Sequence, residues 1–277
     1  MLIPDHDLDR FLAEDVPYGD LTTRSLGLDG RRAAIHFRAG AAMTVCCPEE
    51  AARLLARLGC TLADAVASGA ALAPGDTILS ATGPAQAVLA GWKVTQTLME
   101  YASGIATAAA RIVAAARAVD PAVVVACTRK SFPGTKAVAV KAILAGGATP
   151  HRLGLSDTLL LFPEHRAFFG DDAFEAAVAR LRRSCPEKKV VVEVASVAEA
   201  EAAAGAGADV IQLEKFTPAD VAAAARLLPG VVLAAAGGVN AANAAAYVAA
   251  GARVLVTSAP YSAPPLDVKV AIAEDLR

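Results

Sequence analysis

The sequence has no long uninterrupted apolar segment and no basic leader at its start. A membrane-spanning helix needs about 18 or more consecutive strongly apolar residues, whereas charge, Gly or Pro interrupts every apolar run here. The opening stretch, MLIPDHDLDR, is acidic, while a secretory signal begins with a positively charged segment. We therefore expect no membrane span, no secretory signal and a cytoplasmic location.

Cysteine patterns and an excess of basic charge are also missing. The five cysteines are an odd number with no CxxC spacing and no neighbouring His pair, which argues against a disulfide framework or a zinc site. The net charge of −2 argues against a general nucleic-acid surface. The apolar fraction of 55% is inflated by 68 alanines among 277 residues, so it does not indicate a membrane protein.

Acidic residues are absent from one window, Pro121 to Ser156. Outside the window, 21 basic residues stand against 28 acidic ones. An acid-free cationic segment in an otherwise acidic protein predicts a site for an anionic small molecule. The basic residues inside the window are Arg129, Lys130, Lys136, Lys141 and Arg152, together with His151.

The second half of the chain alternates short β-branched runs with Ala-rich stretches that favour helix. Continuous apolar runs are typical of parallel strands buried on both faces, and the last four start about 20 to 22 residues apart, the spacing of minimal βα units. This pattern predicts an α/β fold with a (β/α) barrel; a doubly wound sheet shows the same alternation. The predicted strands cover 123–128, 157–162, 189–194, 209–214, 231–237 and 253–258.

The first hundred residues predict a separate α+β unit. An amphipathic helix is predicted over 48–59, antiparallel strands over 33–46 and 76–91, and a long helix over about 93–119. We therefore divide the chain into an N-terminal domain, 1–105, and a barrel domain, 106–263, with a tail, 264–277, that can return to the first domain.

Polar residues follow the predicted barrel strands, where barrel enzymes place their sites. Cations and backbone N–H groups at these ends can hold phosphates, and carboxylates can hold hydroxyls or a divalent metal. Such a set suits a phosphorylated sugar. The strand-end residues are Thr128-Arg129-Lys130, Pro163-Glu164-His165, Glu193, Glu214-Lys215, Gly237-Gly238 and Thr257-Ser258.

Six motifs resemble, in order and spacing, the type II quinolinate phosphoribosyltransferases, or nicotinate-nucleotide pyrophosphorylases. The resemblance implies an N-terminal α+β sandwich, a C-terminal open (β/α) barrel, and a homodimer or higher oligomer with sites shared between subunits. It also implies Mg²⁺-dependent transfer of phosphoribose from PRPP to a nitrogen, with release of pyrophosphate. The motifs are EDVPYGDLTT (14–23), SGIAT (103–107), TRKSFPGTK (128–136), KAILAGGATPHRLGLSDTLLL (141–161), VVVEV and IQLE.

The resemblance also implies roles for several of the strand-end residues and for His151 and Arg152. Lys130, Glu193 and Glu214 are the expected catalytic residues, with Lys130 reaching PRPP. Both glutamates would contact ribose hydroxyls and hydrated Mg²⁺. The expected acceptor-binding residues are Arg129, His151 and Arg152, and the expected 5′-phosphate cradle is Gly237 and Gly238. From its place at the end of the last strand, we add Ser258 to this cradle.

Several positions depart from the quinolinate pattern. Trp92-Lys93 stands for Glu-Arg, Phe162 for Lys, Lys215 for Asn, Ala236 for Ser, and Ser258 for Gly. A point-charge lysine is a poor substitute for an arginine that grips a dicarboxylate, so we expect a different, carboxylated heterocycle as acceptor. Lys93 would then reach the acceptor across the dimer, and Lys215 would replace the cation lost at Phe162.

These departures, with the closing LVTSAPYSAPP (255–265), resemble the ModD branch of the family, the pyrophosphorylases associated with molybdate transport. Three alternatives stay open. The first is an authentic carboxylating nicotinate-nucleotide pyrophosphorylase of NAD biosynthesis, and the second a non-catalytic binding or regulatory protein of molybdate handling. The third is a Schiff-base aldolase that uses Lys130 or Lys215.

Overall fold

The protein is described by a computed structural model covering residues 3–170 and 173–275. The chain forms two compact units. The first comprises the residues up to Ala110, Phe132–Gly147 and the segment from Pro260 onward; the second comprises Arg111–Ser131 and Ala148–Ala259. Residues 1–2 and 276–277, the ends of the predicted first domain and tail, lie outside the described residues.

The first unit is built on an antiparallel sheet in the order β13-β1-β5-β3. Because the C-terminal strand pairs with β1, from Ala33 against Glu274 to Ala39 against Val268, the tail adds an edge strand to this sheet. The strands are β1 (Arg32–Ala39), β2 (Met43–Thr44), β3 (Thr61–Ala65), β4 (Ala71–Leu72), β5 (Thr77–Pro84) and β13 (Val268–Glu274); β2 pairs with β4.

In the described part of the first unit, the helices that begin are α1 (Asp5–Asp15), α2 (Leu21–Ser25), α3 (Pro48–Arg57), α4 (Ala85–Arg117) and α5 (Lys136–Ala145). The sequence-based division grouped 132–147 with the barrel, whereas the structure groups this segment with the first unit. The physical reason is close helix packing. A Cβ on Gly146, just after α5, would lie 2.4 Å from the carbonyl oxygen of Ala106 on α4.

One predicted strand is partly wrong. The segment 76–91 was expected to be extended, but β5 ends at Pro84 and α4 begins at Ala85. The alternation in AQAVLAG depends on alanine, which has the highest helix propensity, so the segment continues the long helix instead. That helix consequently starts eight residues before the predicted position.

The second unit contains a seven-stranded sheet in the order β7-β6-β12-β11-β10-β9-β8, and its paired strands are parallel. The sheet is an open half-barrel with β7 and β8 at its edges, which confirms the predicted fold class. The strands are β6 (Val124–Cys127), β7 (Thr149–Pro150), β8 (Leu159–Leu161), β9 (Val190–Val194), β10 (Val210–Glu214), β11 (Val232–Ala236) and β12 (Val254–Thr257).

Helices follow the strands as the βα spacing predicts. Ser196 caps α8 by accepting a hydrogen bond from the Glu199 N–H, and Thr217 with Asp220 forms a capping box at α9. The helices are α6 (Pro163–Arg166), α7 (Ala173–Ser184), α8 (Val197–Gly205), α9 (Pro218–Leu227), α10 (Ala244–Ala249) and a short 3₁₀ helix (Ala259–Ser262). Within the part of the chain that is described, no helix combines the length and apolar character needed to cross a bilayer.

The strand period of two assigns side chains to the two faces of the half-barrel. Ala234, Ala236 and Val256 pack together on one face, while the intervening Ala235 and Leu255 are buried on the other. Because the first of these faces is lined by such small side chains, space remains at the carboxyl ends of the strands.

Candidate active site

A cavity of about 270 Å³ lies at the carboxyl ends of the parallel strands. Nine of the eleven site residues expected from the sequence line it. The lining residues are Thr128, Arg129, Lys130, His151, Arg152, Leu160, Phe162, Glu193, Gln212, Glu214, Ala236, Gly237, Gly238, Val256, Thr257 and Ser258.

The cations of the cavity come from the segments after β6 and β7. Arg129 and Lys130 are exposed, and the Lys130 N–H donates to Thr128 Oγ1 at 3.2 Å. Arg152 is only 8% exposed, and its guanidinium carbon lies 5.6 Å from the ring centroid of Phe162. In residues 3–170 and 173–275, neither arginine forms an ion pair with a carboxylate, so both charges are available to an anion.

Electrostatics inside the cavity affect His151 and Arg152 together. Burial lowers the pKa of His151, and the positive charge of Arg152 lowers it further. The imidazole is therefore neutral at pH 7, with one donor and one acceptor nitrogen. Burial, followed by the charge of Arg129, also lowers the pKa of Arg152, although an arginine stays protonated in proteins.

Two carboxylates line the same cavity as these cations. Glu193 is the second-last residue of β9, and Glu214 is the last residue of β10. Burial raises the pKa of Glu193, a hydrogen bond from Gln212 lowers it, and the charges of Glu214 and Glu164 raise it again. Gln212 donates from Nε2 to Glu193 Oε2 at 2.5 Å.

Gln212 is a site residue that sequence reasoning missed. It is 4% exposed and lines the cavity, and its Oε1 is buried without a hydrogen-bond partner among the described residues. A signal was present in the sequence, because an amide interrupts the apolar run of β10 two residues before Glu214, on the same face of the strand.

Gly237 is fixed by both backbone conformation and space. Its φ is +82°, and a Cβ would lie 2.8 Å from the Lys215 nitrogen and 3.0 Å from Glu214 Oε1. Gly238 also has a positive φ, +92°, but a Cβ there would meet nothing within 4 Å. The loop after β11 can therefore approach the end of β10 only because residue 237 has no side chain.

Two expected substrate-binding lysines do not line the cavity. Lys215 is exposed, has a φ of +58°, and donates its N–H to the Ala236 carbonyl at 2.8 Å. Lys93 lies on α4 in the first unit, where Nζ donates to Gln96 Oε1 at 2.8 Å and lies 4.1 Å from the Trp92 ring centroid.

The acid-free window contributes to both units. Arg129, Lys130 and Arg152 line the cavity, whereas Lys141 belongs to the first unit and pairs there with Glu49, at 3.0 Å, and with Glu50. Only some of the basic residues in the window therefore belong to the site. Lys141 instead pairs with glutamates from a distant part of the sequence.

The donor set of the cavity fits a hydrated magnesium ion. The described residues contain no group of three or more His, Cys, Asp or Glu side chains that could hold a metal. Mg²⁺ keeps several waters and uses one or two carboxylates together with substrate phosphates. Glu193 and Glu214 are such a pair, and the buried Oε1 of Gln212 adds an acceptor for a water or hydroxyl.

A second cavity, of about 590 Å³, adjoins the first within the same unit. The two share Arg129, Arg152, Leu160 and Phe162. The second lies between β8 and α7, and its lining in the described chain is leucine-rich, with a third arginine, Arg180, and no carboxylate. Arg129 and Arg152 therefore border a region suited to a flat ring that carries a negatively charged substituent.

Comparison with known proteins decides the family. The family model described as "Quinolinate phosphoribosyl transferase, C-terminal domain" matches residues 105–271. The model described as "Quinolinate phosphoribosyl transferase, N-terminal domain" matches residues 20–103. The chain belongs to the quinolinate phosphoribosyl transferase family. Members of this family are phosphoribosyltransferases that act as pyrophosphorylases, and the chain is an enzyme of this type.

Relatives within the quinolinate phosphoribosyl transferase family agree over most of the chain. A Rhodobacter capsulatus protein named "Putative pyrophosphorylase ModD" is 60% identical over 248 residues, 88% of this chain and 95% of that protein. The Archaeoglobus fulgidus "Probable nicotinate-nucleotide pyrophosphorylase [carboxylating]" is 37% identical over 74% of this chain and 81% of its own length. The crystal structure of NadC from Streptococcus pyogenes matches with a TM-score of 0.91 at 27% identity, over 99% of both chains.

Proposed function

We propose that the cavity binds PRPP with Mg²⁺ and an anionic nitrogen heterocycle, and that phosphoribose is transferred to the ring nitrogen with release of pyrophosphate. The supporting observation is that one cavity is lined by Arg129, Lys130 and Arg152, none paired with a carboxylate in the described chain, and also by Glu193 and Glu214. Membership of the quinolinate phosphoribosyl transferase family supports the reaction type.

The residues that line the cavity can be divided between the two substrates. Lys130 supplies a point charge for PRPP, while Glu193 and Glu214 accept hydrogen bonds from ribose hydroxyls. Their negative charge stabilises the oxocarbenium-like ribose as the bond to pyrophosphate breaks. Mg²⁺, held through water by these carboxylates, would supply positive charge to the leaving pyrophosphate.

Arg129, His151 and Arg152 form the acceptor side of the proposal. The arginines bind a carboxylate of the heterocycle and orient its ring nitrogen, whose lone pair forms the new bond to C1 of the ribose. The neutral imidazole of His151 can accept or donate a hydrogen bond to the same ring. The adjoining cavity is rich in leucine and contains three arginines and, among the described residues, no carboxylate, which supports a planar, negatively charged acceptor.

The 5′-phosphate is assigned to the loop after β11 together with Ser258. Gly237, Gly238 and Ser258 line the cavity, and Thr257 ties the two segments together by donating from Oγ1 to the Val239 carbonyl at 2.6 Å. Substrate binding by Lys93 and Lys215 remains a prediction. The homodimer, the cytoplasmic location and the link to molybdate transport are likewise predictions.

Pyrophosphate release from PRPP tests the proposal. We expect release in the presence of MgCl₂ with at least one member of a panel of pyridine, pyrimidine and purine carboxylates, and no release by Lys130→Met. An enzyme that releases pyrophosphate only with quinolinate, with loss of CO₂, would instead be an authentic nicotinate-nucleotide pyrophosphorylase. That second function is favoured by the retention of Arg129, His151 and Arg152 in the cavity.

Two further outcomes correspond to the remaining alternatives. Binding of PRPP without pyrophosphate release with any acceptor would indicate a binding or regulatory protein. Covalent trapping of a carbonyl compound on Lys130 or Lys215 by borohydride would indicate a Schiff-base aldolase. Neither alternative accounts for the two carboxylates that line the cavity together with Lys130.

A further inference from the structure

Gln212 lies on β10, the strand that also carries Glu214, and neighbours Glu193 on the paired strand β9. On β10 it precedes Glu214 by two residues, so the two side chains share one face of the strand. Across the parallel pairing with β9, Gln212 is in register with Glu193. The side chain is 4% exposed and forms part of the cavity wall.

Only one of the two polar atoms of the Gln212 amide has a hydrogen-bond partner among the described residues. Nε2 donates to Glu193 Oε2 at 2.5 Å, whereas Oε1 is buried and has no partner among the described residues. A carboxylate accepts hydrogen bonds and does not donate them, so Glu193 fixes which end of the amide it faces. The oxygen is thereby directed away from Glu193 as a buried acceptor that lacks a donor, which is rare in proteins.

The chemistry of the neighbouring groups limits what can satisfy this oxygen. Glu193, Gln212 and Glu214 all line the cavity, and the two carboxylates, like Gln212 Oε1, accept hydrogen bonds without donating them. A phosphate group has only acceptor oxygens when fully ionised, so it cannot supply the missing donor. A hydroxyl group can, because it donates one hydrogen bond.

We propose that Gln212 contacts the substrate directly: its Oε1 accepts a hydrogen bond from a ribose hydroxyl, while its Nε2 holds the Glu193 carboxylate in place. This inference rests on the proposed function, because it assumes that the cavity binds a phosphoribosyl compound. Gln212 then contributes to selection of a ribosyl over a deoxyribosyl ligand, because a deoxy sugar leaves the buried oxygen without its donor.

Sugar-phosphate binding tests the inference without requiring turnover. Affinities for ribose 5-phosphate, 2-deoxyribose 5-phosphate and 3-deoxyribose 5-phosphate are measured by calorimetry in EDTA, so that water on a bound metal cannot act as the donor. We expect the protein to favour ribose 5-phosphate over at least one deoxy sugar by about tenfold or more.

The variants separate the amide from its surroundings. Gln212→Met keeps the length of the side chain and removes both polar atoms, and Gln212→Leu serves if the first variant does not fold. We expect the preference for the ribose compound to fall by about fivefold or more in either variant. The matched control is Gln86→Met in the first unit, where the exposed Gln86 bonds Asp29; its preference should be unchanged.

Failure of this inference and failure of the proposed function give different results. An unchanged preference in Gln212→Met, with ribose 5-phosphate still bound, would overturn the role of Gln212 alone. No binding of any of the three sugars by the unaltered protein, together with no pyrophosphate release from PRPP, would overturn both. A merely structural role would lower the thermal midpoint without altering the ratio of the affinities.

Discussion

The guanidinium carbon of Arg152 lies 5.6 Å from the centroid of the Phe162 ring. The ring also stacks on His165, with centroids 5.8 Å apart. An aromatic face stabilises a cation without neutralising it, so Arg152 is held in a buried position with its charge still available. The quinolinate pattern has a lysine where this chain has Phe162, and a lysine there would place a like charge beside Arg152.

A double-mutant cycle on Arg152 and Phe162 tests this contact. We expect Arg152→Met and Phe162→Leu to show a coupling free energy of about 0.5–2 kcal/mol in urea unfolding, because each single change already removes the same interaction. Losses that add to within about 0.3 kcal/mol would mean that the two side chains are neighbours without an energetic contact.

The two glycines after β11 should respond differently to alanine. Both have a positive φ, which costs roughly 1–2 kcal/mol for a residue with a Cβ, but only Gly237→Ala places the Cβ against Lys215 and Glu214. We expect the loss of unfolding free energy in Gly237→Ala to be at least about twice that in Gly238→Ala. Equal losses would show that the loop moves away freely.

Lys215 occupies backbone geometry that favours glycine. Its φ of +58° is costly for a side chain with a Cβ, so we expect Lys215→Gly to stabilise the fold by up to about 1 kcal/mol in urea unfolding. The control is Lys188→Gly, at an exposed loop residue outside the positive-φ set, where glycine should only destabilise. A loss in Lys215→Gly equal to that of the control would contradict the prediction.

Glu49 in the first unit makes stability depend on acid. Burial raises the pKa of this carboxyl, but hydrogen bonds from Ser68, at 2.6 and 2.7 Å, and from Lys141, at 3.0 Å, outweigh it and bring the pKa to about 2. Since the ordinary pKa of a glutamate is 4.5, the stabilisation is complete above pH 4.5 and is lost as the pH falls toward 2.

Glu49→Gln therefore lowers stability near neutral pH, and its deficit relative to the unaltered protein should shrink between pH 4.5 and 2. Urea unfolding across this range measures the deficit at each pH. A deficit that does not vary with pH would show that the Glu49 contacts act through packing rather than through charge.

Much of the site could be predicted because strand ends are visible in the sequence. Glu193, Glu214 and the pair Gly237-Gly238 each end an apolar run, and parallel strands bring such ends to one edge of a sheet. The structure places all four in one cavity with Arg129, Lys130 and Arg152. The half-barrel could be predicted as well, because the alternation of strands and helices is also visible in the sequence.

Other features depend on contacts between segments that are distant in the chain. Lys141 belongs to the same acid-free window as Arg129, yet its partners, Glu49 and Glu50, precede it by about ninety residues. The unpaired oxygen of Gln212 follows from its register with Glu193. The grouping of 132–147 with the first unit follows from the approach of α5 to α4. None of these can be read from local pattern.

Binding of magnesium-PRPP tests the central claim most directly. A ligand at a hundred times its Kd adds about 2.7 kcal/mol to the stability of the folded state, which for a chain of this size raises the thermal midpoint by about 5 °C or more. We predict such a rise for the unaltered protein with millimolar PRPP and MgCl₂, and a much smaller one for Lys130→Met and Glu214→Gln. No rise in the midpoint of the unaltered protein, or equal rises in all three proteins, would contradict the assignment of the cavity as the PRPP site.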